Sequence, residues 1–243
     1  MALPQHASIV VTFHREGLLG HKTLLALARC RRAARAEGHT VQFVCTLDRA
    51  DEETRRVVRG HPALEDGDIV EDIDYGDLGL SRNHAVRAAA GDWIGICDGD
   101  DYLSENWIVR CLESARDADA RTIWHPELIV LFDGWHAISR QFGQDDEAFD
   151  PNAMLVVNPW NSCSFAHRDV YLAIPYELAR PGETGFGFED WHWNCETLAM
   201  GYRHSIAART LHYVRRKQSG SLNQAHARAS ALIHRTALFD GDR

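Results

Sequence analysis

In LSRNHAVRAAAGDWIGICDGDD, Leu80–Asp101, a helical segment, a glycine stop and an apolar strand run straight into three carboxylates. Leu80–Gly91 has helical spacing and ends on its glycine. Asp92–Cys97, DWIGIC, reads as a buried strand. Asp98, Asp100 and Asp101 then fall within four positions. Like charges packed this closely repel, so a strand end seldom carries them without a cation or hydrogen-bond donor to meet them. Read alone, the run is either an Asp-rich turn or a metal site.

Outward from this stretch the same alternation recurs. Ser8–Phe13 (SIVVTF), Thr40–Leu47 (TVQFVCTL) and Asp68–Ile73 (DIVEDI) read as strands, the last one weaker. His21–Glu37, with Gly38 as its stop, and Asp51–Val58, with acids at its N-terminal end, read as helices. Strand and helix alternating in this way predict an α/β fold, with a mostly parallel central sheet flanked by helices on both faces. Ligands of such sheets bind beyond the carboxyl ends of the strands. Thr12–Arg15, Asp48 and Asp98–Asp101 all fall at such ends.

The rest of the chain is less regular and holds five of the seven tryptophans beyond Trp107. Thr122–Phe132 and 203–214 read as strands, Glu189–Met200 as a helix stopped by Gly201, and LNQAHARASALIHRTALF as a C-terminal helix. No repeat or linker interrupts the chain. The expected organisation is a single domain, 1–243, of two lobes, about 1–103 and about 104–243.

A formal charge of −9 without a long basic run argues against gripping a nucleic-acid backbone. Six cysteines without a CxxC pair argue against a disulfide framework and fit a reducing cytoplasm. No apolar run reaches the roughly 20 residues of a spanning helix. The N-terminus lacks the features of a signal peptide, so any membrane contact is expected to be peripheral docking, at the inner face of the cytoplasmic membrane.

Three further groups carry chemistry. Glu189-Asp190 reads either as two acids favoured by a helix N-terminus or as a carboxylate base kept ionised there. The preceding Gly185 and Gly187 would let backbone come close to a ligand. His212 is either an ordinary strand histidine or part of a site, because Arg215, Arg216, Lys217 and Ser219 follow it. Those cations and hydroxyls suit diphosphate oxygens. Trp160, Trp191 and Trp193 are either core residues or platforms for sugar faces.

The order of these motifs resembles the inverting family 2 glycosyltransferases of the GT-A fold. It runs from IVVTFHRE through LGLSRNHAVRAAAGDWIGICDGDDYLSENW to GFGFEDWHWN and LHYVRRKQSGS, nearly the whole chain. The second half is similar to enzymes that build bacterial surface polysaccharides. The resemblance implies a metal-dependent transfer, with Mn2+ or Mg2+, from a nucleotide diphosphate sugar, expected to be a UDP-sugar, to a hydroxyl of a glycan or glycolipid. By position, it gives Thr12 and His14, beside Arg15, to the nucleoside. It gives Asp48 to the base with Arg82 nearby, and Asp98, after which Gly99 permits a turn, to ribose or metal-bound water. It gives Asp100 and His212, with Asp98, to the metal, and Asp190 beside Glu189 to the proton-accepting role. Arg215, Lys217 and Ser219 fall to the donor, and Trp160, Gly187 and Trp191 to the acceptor. The chain departs from the family in carrying Leu47-Asp48-Arg49 where most members have two consecutive acids, which leaves the nucleotide base open. An oligomer, or a module of a larger protein, is compatible with the sequence.

Two other readings use the same residues. A nucleotidyltransferase also combines a parallel sheet, paired acids and Mg2+, but its glycine-rich basic loop has only a poor counterpart in TFHREGLLGHK. A non-catalytic carbohydrate- or nucleotide-binding module needs no base and leaves Asp190 unexplained. A dehydrogenase is disfavoured because GETGFG does not sit in a first βαβ unit.

Overall fold

The computed structural model describes residues 5–217 and 222–240. Three βα units open the chain: β1 (His6–Phe13), α1 (Leu18–Ala36), β2 (Thr40–Asp48), α2 (Glu52–Arg59), β3 (Ile69–Ile73) and α3 (Leu78–Ala88). β4 (Trp93–Asp98) follows, then the two-residue β5 (Tyr102–Leu103) and α4 (Trp107–Ala115). The second half contributes β6 (Thr122–Phe132), β7 (Ala137–Arg140), β8 (Phe165–His167), α5 (Arg168–Ala173) and α6 (Pro181–Thr184). It closes with α7 (Glu189–Ala199), β9 (Arg203–Arg215) and α8 (Leu222–Arg228).

The sheet runs β3-β2-β1-β4-β8-β6-β9-β5, with β7 paired to β6. Its first four strands are parallel. β8 pairs antiparallel with β4 and β6, whereas β6 and β9 run parallel through a bulge at Pro126–Leu128. β1 alternates its side chains as a strand must: Ile9, Val11 and Phe13 enter one core, and Val10 enters the other. The first core packs α1 and α4 against the sheet with Trp107 and Phe165, and the second uses α3, Tyr171, Tyr176 and Trp193. All six cysteines are free and buried. No described helix is long and apolar enough to cross a membrane.

The chain order reverses at β1, which lies between β2 and β4. Thr12 stands in register with Thr46 on one side and Asp98 on the other. The carboxyl ends of three strands therefore open onto one crevice, as expected at a topological switch point.

The expected C-terminal helix is corrected. It ends at Arg228, Ser230 takes a left-handed φ of 49°, and the chain then runs extended to a short 3-10 turn at Ala237–Phe239. Backbone pairing overrides helical propensity here. Leu232 donates its N–H to Gly185 O at 3.0 Å and accepts from Gly187 N at 2.8 Å, tying the C-terminal segment to the loop ahead of α7.

Candidate active site

A cavity of about 1460 Å³ opens at the carboxyl ends of β1, β2 and β4, and the segment leading into α7 closes its far wall. Thr12, Asp98, Asp100, Asp190, Trp191 and Lys217 all line it. Segments nearly 200 residues apart in sequence thus share one wall.

The three carboxylates after β4 have different partners. Asp98 accepts from Arg82 Nη2 at 2.6 Å and from Ser162 Oγ at 2.9 Å. Burial pushes its carboxyl up, but the Arg82 guanidinium and the Ser162 hydroxyl outweigh this and hold it below the usual range. Asp101 is buried, accepts from Arg215 N at 2.8 Å, and lies 2.9 Å from His212 Nε2. Asp100 meets Lys217 Nζ at 2.7 Å. Burial and the neighbouring Asp101 charge raise the Asp100 carboxyl despite that lysine. Gly99 is required between them, since a Cβ there would lie 2.6 Å from Thr12 O and 2.5 Å from Phe13 Cδ1.

Arg82 is the hinge of the site. Its fully buried guanidinium also donates from Nη1 to Glu189 Oε1 at 2.8 Å and lies over the Tyr176 ring. One cation therefore joins the β4 acids to the N-terminus of α7. Both its terminal nitrogens are engaged by carboxylates, and Arg82 lines the cavity.

Asp190, next to Glu189, faces the cavity, with a long contact from Asn158 Nδ2 at 3.4 Å and the backbone N–H of Trp191 against its carboxyl. Burial and the adjacent Glu189 charge raise its carboxyl to about 7. A carboxylate poised near neutrality, without a salt bridge among the described residues and aimed into a cavity, has the properties of a general base. The turn that presents it is strained: Phe188 holds a left-handed φ of 56°, and its N–H donates to His226 Nδ1 at 3.3 Å.

Asp48 spends its carboxylate on the loop before α3. It accepts from the N–H groups of Tyr75 (2.8 Å), Gly76 (2.9 Å) and Asp77 (3.1 Å) and from Ser81 Oγ (2.6 Å). It shapes that wall of the cavity from behind. His14 and Arg15 are exposed and line the same side, with His14 Nδ1 2.7 Å from Asp48 O.

Several expected residues lie elsewhere. His212 is 1% exposed, contacts Asp101 and Asn161, and is absent from the cavity wall. Its pairing with Asp101 follows from β5 and β9 lying side by side, with Leu103 opposite His212. Arg215 does line the cavity, and it is held there by Asp101, Asp133 and Tyr102 at the end of β9. Gly187 does not line the cavity; it packs beneath His226, whose Cδ2 a Cβ would meet at 2.9 Å. Trp160 is only 1% exposed and stacks between Phe149 and His204 (ring centroids 5.3 and 3.9 Å), so it is chiefly a core residue at the cavity edge. Trp193 is buried against Tyr171 and Tyr176. Trp191 is half-buried and does line the cavity. Ser219 lies outside the described residues.

Among the described residues, no three His, Cys, Asp or Glu side chains are grouped to hold a metal ion. A site of the Mg2+ type needs only one or two carboxylates when substrate phosphates and water complete the shell. Asp100 meets that requirement, since only its Oδ2 meets Lys217, whereas His212 does not.

Sequence reasoning missed Ser162, Asn158, Glu16 and His226. Glu16, whose carboxyl burial raises, lies 3.9 Å from Lys217 Nζ. Its place in the loop after β1 was the one available signal; Asn158, Ser162 and His226 belong to no motif and are brought in by tertiary folding alone.

A sheet of this order, parallel in its first four strands, with an acid-lined cavity at its switch point is the arrangement of a GT-A fold. A family model of glycosyl transferase family 2 matches residues 8–164, well over half of the chain, which therefore belongs to that family. Comparison with curated proteins finds no match. Among solved structures, S. aureus TarS 1-349 in complex with UDP-GlcNAc is similar with a TM-score of 0.61 at 15% identity, over 88% of this chain and 60% of that one. GalNAc-T7 with UDP, GalNAc and Mn2+ is similar with a TM-score of 0.65 at 14% identity, over 94% of this chain and 48% of that one. The chain thus spans well under two thirds of either, and at these identities the likeness establishes the fold.

Proposed function

We propose that the protein transfers a sugar, with inversion, from a nucleotide diphosphate sugar to a hydroxyl of a glycan or glycolipid, with Asp190 as the base. The observation that supports this is the Arg82 bridge, which joins Asp98 and Glu189 through one guanidinium, with their neighbours Asp100 and Asp190 lining the same cavity.

The diphosphate is read as lying along Asp100 and Lys217, with Arg15, Arg49 and Arg216 on the same cavity wall. Cations there offset charge on the leaving diphosphate, which low dielectric strengthens. A divalent ion, Mn2+ or Mg2+, would be held by Asp100 with donor oxygens and would supply further positive charge to the departing group. Lys217 must then leave Asp100 Oδ2 and turn to phosphate. Thr12, His14 and the loop organised by Asp48 are assigned to the nucleoside. Asp190 accepts the acceptor hydroxyl's proton as the oxygen forms its bond to the anomeric carbon and the bond to the diphosphate breaks. One displacement on the opposite face inverts the centre, and no sugar–enzyme bond is needed. The two halves, about 1–103 and 104–243, work as one domain, in a cytoplasmic setting at the membrane's inner face.

Melting temperatures across a panel of nucleoside diphosphates, with and without Mn2+, test the donor site. A ligand that binds only the folded state raises apparent stability by mass action, so UDP should shift the transition and the other bases less. No shift with any nucleotide contradicts the reading. Product analysis separates the rival: released nucleoside diphosphate supports the transferase, and pyrophosphate from a nucleoside triphosphate supports a nucleotidyltransferase.

A further inference from the structure

A second cavity of about 420 Å³ adjoins the first, between the 3-10 turn at Pro151–Leu155, the start of α7 and the C-terminal extended segment. Leu155, Phe188, Trp191, Leu232, Ile233 and Phe239 form its apolar lining. Phe188 and Trp191 line both cavities and bracket Glu189-Asp190 in sequence. Whatever occupies the small cavity is therefore beside the base.

Several polar groups in its walls are engaged within the fold. Trp191 Nε1 donates to Met154 O at 2.9 Å, and His234 Nε2 lies 2.7 Å from Leu178 O. Thr236 Oγ1 accepts from Leu238 N at 3.1 Å, and Arg235 Nε donates to Asp240 Oδ1 at 2.7 Å. The lining that remains is predominantly apolar and aromatic, which suits an apolar ligand group more than a sugar. Exposed aliphatic residues accompany both cavities: Leu155 (61% exposed) and Leu232 (70%) line the small one, and Val156 (81%) and Val157 (51%) line the large one. Such residues beside a polar crevice mark an apolar ligand.

We propose that this cavity receives the aliphatic chain of an amphipathic acceptor, whose hydroxyl-bearing head is then presented to Asp190. The proposal rests on the transferase reading and narrows its acceptor to an alkyl- or lipid-linked hydroxyl compound.

The test titrates n-octyl β-D-glucopyranoside, kept below its micelle concentration, and methyl β-D-glucopyranoside into the protein, with UDP titrated into the same samples. Each buried CH2 is worth about fourfold in affinity, so burial of even a few predicts that the octyl compound binds at least tenfold more tightly. Leu155→Asp and Leu232→Asp, both at exposed positions, should reduce that preference to within about twofold while UDP binds as before. Equal binding of the two glucosides, or an octyl preference that survives both substitutions, overturns the proposal. Loss of UDP binding in the unaltered protein would instead overturn the transferase reading, independently of the chain-length result.

Discussion

The parallel half of the molecule and the half that follows β5 reach the same cavity by different means. In the first, strand periodicity does the positioning: Thr12, Asp48 and Asp98 arrive at the cavity because β1, β2 and β4 run parallel and end at one level. In the second, single side-chain contacts do it. Asp190 is presented by Phe188 in a left-handed conformation, a buried His226, and a guanidinium reaching from α3. A site divided in this way should respond differently to damage on its two sides. Strand-end residues should chiefly govern donor binding, and contacts around α7 should chiefly govern turnover.

The largest effect is expected at the base. Asp190→Asn should lower turnover by about 10²–10⁴-fold, with UDP affinity in calorimetry nearly unchanged; equal losses of both would erase the proposed division of labour. Arg82→Met tests the bridge between the halves. It leaves Asp98 and Glu189 as buried carboxylates without their shared cation, at a cost of about 3–5 kcal/mol. Denaturant unfolding should register this, and a change within error would mean that the bridge contributes nothing.

pH separates the two regions further. Asp190 must be ionised to accept a proton, so turnover should rise with pH along a limb centred near 7. The linkage has the opposite sign for stability. Between the ordinary carboxylate range and about 7, the folded state holds the proton more tightly than the unfolded chain, so Asp190 favours folding at low pH and this contribution fades as pH rises. Asp190→Asn should remove that slope in melting temperature, and an unchanged slope would place the titration elsewhere.

Lys217→Ala should weaken UDP binding by about tenfold, roughly the worth of one charge-assisted hydrogen bond, and leave the pH limb where it was. Movement of that limb would tie Lys217 to the base instead. Gly187→Ala should cost about 1–3 kcal/mol through overpacking against His226, read in the melting temperature.

Legibility in the sequence follows the same divide. β1, β2 and β4 lie within about two residues of their expected limits, since apolar runs bounded by glycine and acids leave few alternatives. β6 coincides with its expected span, because the β-branched and apolar residues on either side of His125-Pro126-Glu127 carry the strand signal through the bulge. β5, β7 and β8 have only two to four residues each, too few to show a period. The C-terminal helix was misread because pairing of Leu232 with the Gly185–Gly187 loop is a long-range effect invisible to local propensity. Among the site residues, composition alone could not apportion partners. Three neighbouring aspartates share one motif, yet Asp98 is taken by Arg82, Asp101 lies against His212, and Asp100 meets a lysine from beyond β9. Nothing in the local sequence distinguishes them.

A crystal structure with UDP and Mn2+ bound tests the central claim most directly. The diphosphate should lie against Asp100 and Lys217, with the Asp190 carboxylate facing the position that the sugar would occupy. A nucleotide bound away from Asp100, or an Asp190 separated from the diphosphate by more than the span of one sugar, would contradict it.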